Sequence, residues 1–534
     1  MSSTTPSTLH KGWALTLLVS VQFMLILDAS IVTVALPAIH NQFHVTSQST
    51  LSWVANGYLL TFGGLLLLGG RLGDRFGRRK LFFLGTTLFG IATLGTGLAQ
   101  SFGFLVAARF VQGAGAALVA PAALGLLTVI FTDGDERNKA LGIWGAVSGT
   151  GGAAGLILGG ILTTGINWRW VFFVNIPIVV AALIFTPKLL PEASGENTTG
   201  SFDIPGAAAV VLGVSSLVYG FVEAGNKSWG SPNSWAFIAA GVVLLLAFAG
   251  IELRTTNPLV RFSLFRSRSI LGANLGMLAF GMATFGIWFY LALYLQEVHG
   301  YSALKAGVAS LPLNVALIAT ATMSSKLVSR FGPKPVTTIG LVVVTAGLAW
   351  FHFITATGSY VSVTLGPIIV MGLGMGLAYV GLTVGAVSGV APHEAGLASG
   401  LLNTTTQVGT AIGLAILTAI STTQTAHALE RGQSVHVALT QGFRDAIVLG
   451  GAFTLVAVIV TILVLSNREN RAFVAMVRGA GAPLEDAVEI LAGAESIAGF
   501  GAESFEATLR KGKNVNESAP SAARDRVQSR GDAA

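Results

Sequence analysis

The sequence predicts an all-α integral membrane protein: two six-helix bundles related by a pseudo-two-fold axis, with two additional transmembrane helices inserted between them, 14 spans in all. Three observations carry this reading: the composition, the spacing of the apolar runs and an internal repeat. Of 534 residues, 52% are hydrophobic and only 10% are charged, where soluble domains carry about 25% charged residues. A water-soluble enzyme of this length cannot hide so much apolar surface, and the same numbers exclude disorder and fibrous repeats. The charge is also uneven. Of 55 acidic and basic residues, 19 fall in the last 68 positions, which leaves 36 for the first 466. The chain reads as a polytopic membrane protein with a polar tail.

Apolar runs of about 18–30 residues can cross a hydrocarbon layer roughly 30 Å thick as helices. Fourteen occur, at about 13–38, 51–70, 81–98, 102–131, 139–164, 170–190, 206–224, 235–253, 270–298, 305–326, 336–355, 360–389, 394–420 and 445–466. The segment Met1–Lys11 is short and polar, and the run after it is too long for a signal-peptide core. The loops between runs are unequally charged. One set holds sixteen Lys and Arg residues, including Arg71, Arg75, Arg78, Arg79 and Lys80, whereas the other holds five: Arg169, Lys227, Lys305, Arg431 and Arg444. The positive-inside rule makes the first side cytoplasmic, and the even count puts both termini there. The expected organisation is a cytoplasmic N-terminus (1–12), an N-terminal six-helix bundle (13–190) and a linker with two inserted spans (191–269). A C-terminal six-helix bundle (270–466) and a cytoplasmic tail, partly disordered (467–534), complete it.

The repeat supports the two bundles. RLGDRFGRRK from Arg71 aligns with KLVSRFGPKP from Lys326 without gaps at an offset of 255, sharing Leu, Arg, Phe and Gly. In a second pair, Gly142, Gly155 and Gly159 of the fifth span match Gly396, Gly409 and Gly413 of the thirteenth at an offset of 254. Repeats of this kind build transporters whose substrate site lies between the halves near the bilayer midplane.

What is missing narrows the function. The net charge of +7 sits in short loops, and the tail balances nine basic against ten acidic residues, so nucleic acid is not an expected partner. There is no cysteine, hence no disulfide or thiolate metal site. No Gly-x-x-x-x-Gly-Lys-[Ser/Thr] loop exists for ATP. His393-Glu394 is not a zinc helix because position 397 is Leu. No cofactor or metal is expected, and energy should come from an ion gradient, the potential alone giving about 2.3 kcal/mol per proton at 100 mV.

Gly70-x-Leu72-x-Asp74-Arg75-x-Gly77-Arg78-Arg79 matches a loop motif at every defined position, and the stretches 27–39 (LDASIVTVALPAI), 109–118 (RFVQGAGAAL), 167–177 (NWRWVFFVNIP) and 294–312 (YLQEVHGYSALKAGVASLP) accompany it. Together these resemble the major facilitator superfamily, in particular its fourteen-span drug:proton antiporter branch, over residues from about 13 to 466. One position departs from the pattern. Leu156 stands where the branch's glycine-rich motif has proline, which leaves no proline to kink the fifth span and weakens that motif as a mark of antiport.

Asp28 is the sharpest chemical signal, the only acid well inside any of the fourteen runs. An ionised carboxylate at the centre of a membrane helix costs about 2.5–3.5 kcal/mol even on the conservative scales, so it must be protonated, paired or wet. Arg109 lies at a similar depth in the fourth span, and a contact would favour ionised Asp28. The resemblance links the Arg-x-x-Gln-Gly stretch to proton transfer, which implies that role for Arg109 and Gln112. The alternatives are a permanently paired Asp28 and an Arg109 that only anchors its helix.

The Gly70–Arg79 segment is expected to be a conformational latch: Gly77 permits a tight turn, Asp74 caps the helix opening at Pro392-His393-Glu394, and Arg75 pairs with Asp133 or Asp135, with Arg78 and Arg79 adding charge. Gly151, Gly155, Gly159 and Gly160 form a ridge that lets another helix approach closely. Phe285, Trp288, Asn314, Asn403 and Gln407 are the candidates for a substrate cavity with aromatic walls and few polar groups, although lipid-facing or packing aromatics are the commoner case. The expected activity is not enzymatic: secondary active export of small hydrophobic or cationic compounds such as drugs by proton antiport, across a cell membrane. A metabolite importer and a non-transporting sensor are the alternatives.

Overall fold

The computed structural model describes residues 8–131, 134–191, 203–255, 258–388 and 395–466, and the statements below concern these. No strand occurs among them. In hydrocarbon every backbone N–H and C=O must find its partner within the segment, and the helix is the solution a single run allows.

Fourteen long helices result among the described residues. They are α1 Thr8–Phe43, α2 Trp53–Phe76, α3 Arg78–Gly97, α4 Phe102–Ile130, α5 Gly134–Gly165, α6 Ile176–Leu189 and α7 Ile204–Asn226. There follow α8 Pro232–Glu252, α9 Arg268–Leu293, α10 Leu311–Phe331, α11 Pro333–Phe351, α12 Gly366–Val387, α13 Ala395–Glu430 and α14 Val435–Leu463. Counted with their flanking turns, thirteen are long and apolar enough to cross a membrane; α5 is described as an apolar helix only over Thr150–Gly165. Helix starts follow the sequence locally. Ser101, Asp203 and Ser267 each accept a hydrogen bond from the backbone N–H three residues on, capping α4, α7 and α9.

The helices run longer than the apolar runs that announce them, because polar end turns stay helical. This matters most after the second run. Arg71, Asp74 and Arg75 belong to the last turns of α2, Arg78 and Arg79 open α3, and the expected loop is the single residue Gly77 at φ 96°. Gly332, 255 positions on, joins α10 to α11 at φ 85°. Both require a backbone conformation that residues with a Cβ rarely adopt.

The packing has a pattern. Helix α1 lies against α5, α4 and α6; α9 lies correspondingly against α13, α12 and α14. Contacts between the first six and last six helices are made by α2 with α13, by α5 with α10 and the short turn Ala303–Ala309 before it, and by α1 with α9. The repeat pairs α2 with α10 and α5 with α13, so the first two contacts exchange under it. Helices α7 and α8 pair with each other, and α7 also rests on α2 and α13. Helix α8 is peripheral: only 11% of its apolar window is buried, against 78% for α4.

Candidate functional site

Asp28 and Arg109 meet. Arg109 Nη1 donates to Asp28 Oδ2 at 2.6 Å, with Asp28 fully buried and Arg109 1% exposed. The same Nη1 donates to Gln112 Oε1 at 2.8 Å, and Arg109 Nε donates to the Val54 carbonyl at 2.9 Å. The guanidinium carbon sits 4.5 Å from the centre of the Tyr58 ring. Gln112 Nε2 donates to Asp28 Oδ1 at 2.8 Å and to Thr93 Oγ1 at 2.9 Å. Arg109 is therefore not a snorkelling anchor. It is held by α1, α2 and α4 together, one turn from Gln112 on the same face of α4.

One member of this network escapes sequence reasoning. Asn175, just before α6, donates from Nδ2 to Asp28 Oδ1 at 3.1 Å and is fully buried. Its signal was present in the stretch 167–177, where it is a polar residue between apolar neighbours.

A central cavity of about 390 Å³ lies between the halves. Helix α1 lines it with Ile26, Ala29, Ser30 and Thr33, a spacing that sets one helical face to the opening. The far side carries Phe280, Phe285 and Trp288 of α9, Asn314 of α10, Tyr379 of α12, and Thr406 and Gln407 of α13. Of the residues named from the sequence, Phe285, Trp288, Asn314 and Gln407 line this cavity. Asn403 is buried but is not among the lining residues; on α13 the lining starts at Thr406. Leu156, in place of the motif's proline, lines the cavity too. No charged side chain lines it among the described residues. Asp28 is absent from the lining: its neighbours Ala29 and Ser30 face the opening while its carboxylate turns to α4 and α6.

The Gly70–Arg79 segment is fastened to several neighbours, among them the Pro258 carbonyl after α8, which accepts from Arg71 Nη2. Asp74 pairs with Arg78 at 3.0 Å, Arg78 Nη1 donates to the Gly125 carbonyl at 2.9 Å, and Arg79 Nη1 donates to the Leu190 carbonyl at 3.2 Å. Gly70 faces Pro121 of α4, to which an added Cβ would stand at 3.8 Å. Arg75 lies over the edge of Phe76, its guanidinium carbon 6.0 Å from the ring centre. The partners expected for Asp74 and Arg75 lie outside the description: Pro392, His393, Glu394 and Asp133 are not among the described residues, and of the side chain of Asp135 nothing is described. The tail from 467 lies outside as well.

The glycine ridge of α5 faces α1. A Cβ at Gly151 would stand 3.1 Å from Ile26, one at Gly155 would overlap the Ser30 hydroxyl, and one at Gly159 would stand 2.9 Å from Ile31. Gly160 turns to the other half, 2.5 Å from Leu304 on the same construction. The matched glycines Gly409 and Gly413 press likewise on Leu278 and Met282 of α9.

A bundle of membrane-crossing helices with a central apolar cavity and one sealed carboxylate–guanidinium pair defines a multi-pass carrier of small molecules, not an enzyme. The Major Facilitator Superfamily model matches residues 18–414, and the chain belongs to that family. It is 37% identical over 468 residues to the puromycin resistance protein pur8 of Streptomyces alboniger, covering 86% of this chain and 92% of that one. It is 37% identical over 396 residues to the cephamycin export protein CmcT of Amycolatopsis lactamdurans, covering 73% and 81%. The tetracenomycin C resistance and export protein of Streptomyces glaucescens is 36% identical over 400 residues, 74% of each chain. Among solved structures, a bacterial homolog of the human lysosomal transporter Spinster superposes with a TM-score of 0.63 over 88% of this chain and 99% of that one; at 18% identity this likeness bears on the fold alone.

Proposed function

We propose that this protein exports small, largely apolar or cationic compounds of the antibiotic type across the cell membrane in exchange for protons. The architecture we infer is two six-helix bundles, α1–α6 and α9–α14, related by a pseudo-two-fold axis, with α7 and α8 inserted, fourteen spans and both termini cytoplasmic. The packing of α2 on α13 and of α5 on α10, which exchange under the repeat, supports it. The cavity, with aromatic walls and no charge, suits a substrate whose transfer from lipid costs little, and offers few groups to a polar nutrient. The relatives named for puromycin, cephamycin and tetracenomycin C point the same way.

One observation carries the coupling: Asp28, Arg109, Gln112 and Asn175 form a closed polar network immediately behind the α1 face that lines the cavity. Substrate in the cavity does not touch Asp28, so the two do not compete for one atom. Coupling passes through α1 instead. A proton on Asp28 removes the charge that holds Arg109 and frees α1 to shift against α4; because Ala29 and Ser30 are on the same turn, that shift reshapes the cavity wall. The Gly70–Arg79 segment acts in this scheme as the rigid bolt that makes α2, α3, α4 and α6 move as one body. The protein then tilts between two access states, taking protons from outside and returning them inside.

The test is Asp28→Asn reconstituted into proteoliposomes beside the wild type, with internal pH recorded as puromycin or tetracenomycin C is added. Wild type should move protons on addition of a substrate. The variant should insert and purify normally, bind substrate, and move none. Substrate-driven proton flux at wild-type rate in Asp28→Asn would remove this residue from the mechanism.

A further inference from the structure

The inserted helix pair holds a second buried acid cluster, which the transport scheme does not use. Asp203 caps α7, its Oδ1 accepting from the Gly206 N–H at 2.7 Å. Glu252 ends α8, its Oε2 accepting from the Val260 N–H at 2.9 Å. The two residues are 2% and 3% exposed, and their carboxyl groups lie within hydrogen-bonding reach of each other. Each keeps one oxygen, Asp203 Oδ2 and Glu252 Oε1, buried with no hydrogen-bond partner. The charged groups acting on Glu252 are Asp203 and Arg71 of α2, and those acting on Arg71 are the two acids, Asp74 of α2 and Arg261 from the segment after α8. Asp74 is paired with Arg78, and Arg71 Nη2 donates to the Pro258 carbonyl.

Two buried carboxylates in contact repel strongly, and the orphaned oxygen that each of them keeps lacks one thing, a hydrogen. A single proton held between them supplies it and leaves one negative charge for the neighbouring Arg71. We propose that Asp203 and Glu252 share one proton, forming a second proton-binding site, separate from Asp28, that fastens the inserted helix pair to Arg71 on α2. The position gives this fastening a purpose. Leu259, Val260 and Leu264, directly after α8, pack with Leu67 of α2 and Leu401 of α13, so the segment bridges the two halves. When the proton leaves, two like charges face each other between the start of α7 and the end of α8, and the bridge loosens. Because the folded pair holds that proton more tightly than separate carboxyls in an unfolded chain would, the stability it lends is fullest at acidic pH and is lost as pH rises to neutrality and above.

The experiment uses the full chain in lipid nanodiscs, with infrared difference spectra between mildly acidic and alkaline buffer and thermal unfolding in both. Wild type should show the carbonyl band of a protonated carboxyl in the acidic buffer that disappears in alkali, together with a fall in unfolding temperature. Glu252→Gln and Asp203→Asn should each remove the band and flatten the pH dependence; the amide that Glu252→Gln introduces would donate to Asp203, and the Asn of Asp203→Asn keeps the cap. Asp28→Asn should leave this band in place. A band of wild-type intensity in both variants, or no titrating band in the wild type, overturns the shared proton. Neither readout involves transport, so that failure leaves the export reading untouched, and failure of export leaves the pair untouched.

Discussion

At the scale of single residues, the Asp28 network divides its work by geometry. Arg109 uses Nε toward Val54, Nη1 toward both Asp28 and Gln112, and its flat face toward Tyr58. Lysine has three donors on a single nitrogen and no plane, so it can neither span the separate positions of Val54, Asp28 and Gln112 nor lay a flat face on Tyr58. Arg109→Lys should therefore lower substrate-driven proton flux at least tenfold while keeping the charge; flux within twofold of wild type would show that charge alone suffices. Asn175→Ala removes one of the donors to Asp28 Oδ1. A hydrogen bond to a charged group is worth about 1.5–3 kcal/mol, so the variant should lower both substrate-driven proton flux and the unfolding temperature of the purified protein; wild-type values of both would show that this donor is idle. Asp28 and Arg109 are legible in the sequence because a charge deep in an apolar run must find an opposite one. Asn175 shows only as a polar residue between apolar neighbours, and its role is not legible, because a neutral amide near the end of a run looks the same whether it faces lipid headgroups or a buried carboxylate. Asn403 misleads for a related reason: it shares a helical face with Gln407, but the cavity stops a turn short of it.

At the scale of helices, close approach depends on glycines whose contacts are with backbone. A Cβ at Gly69 would run into the Ala117 carbonyl on α4, and one at Gly413 into the main chain of Met282 on α9, neither of which can swing aside. A Cβ at Gly152 meets nothing. Overpacking costs about 1–3 kcal/mol, whereas replacing a helical glycine by alanine in open space gains up to about 1 kcal/mol. Gly69→Ala and Gly413→Ala should thus lower the unfolding temperature in detergent and Gly152→Ala should raise it; equal shifts in all three would show that helix propensity, not contact, governs these sites. The order of helices can be read from apolar runs, since the bilayer sets their length. Their ends cannot, since Arg71, Asp74, Arg78 and Arg79 are polar yet helical, paired along and between helix ends. Which helix meets a glycine ridge is also invisible to the one-dimensional pattern, which shows a smooth face and not its partner.

At the scale of the whole molecule, the polar side-chain contacts that join the two halves among the described residues gather at the end opposite the arginine-rich turn. Ser49 and Thr422 hydroxyls meet at 2.9 Å, Ser421 donates to Gln48 Oε1 at 2.8 Å, Gln296 donates to the Val34 carbonyl at 3.2 Å, and His40 stands 3.4 Å from Glu297. If the halves tilt against each other, this end must open once in every cycle, and a covalent tie there must stop transport. The chain contains no cysteine, so a pair introduced at Ser49 and Thr422 has no competitor. A disulfide needs two side chains that point at each other across a short gap, and the Ser49 and Thr422 hydroxyls, in contact, do so. Ser49→Cys with Thr422→Cys should form the bond under mild oxidation, lose transport as the bond forms, and regain it on reduction, with each single variant unaffected by oxidant. Cross-linked protein that still transports at the uncross-linked rate would mean that this end stays shut throughout, and that substrate leaves by another route.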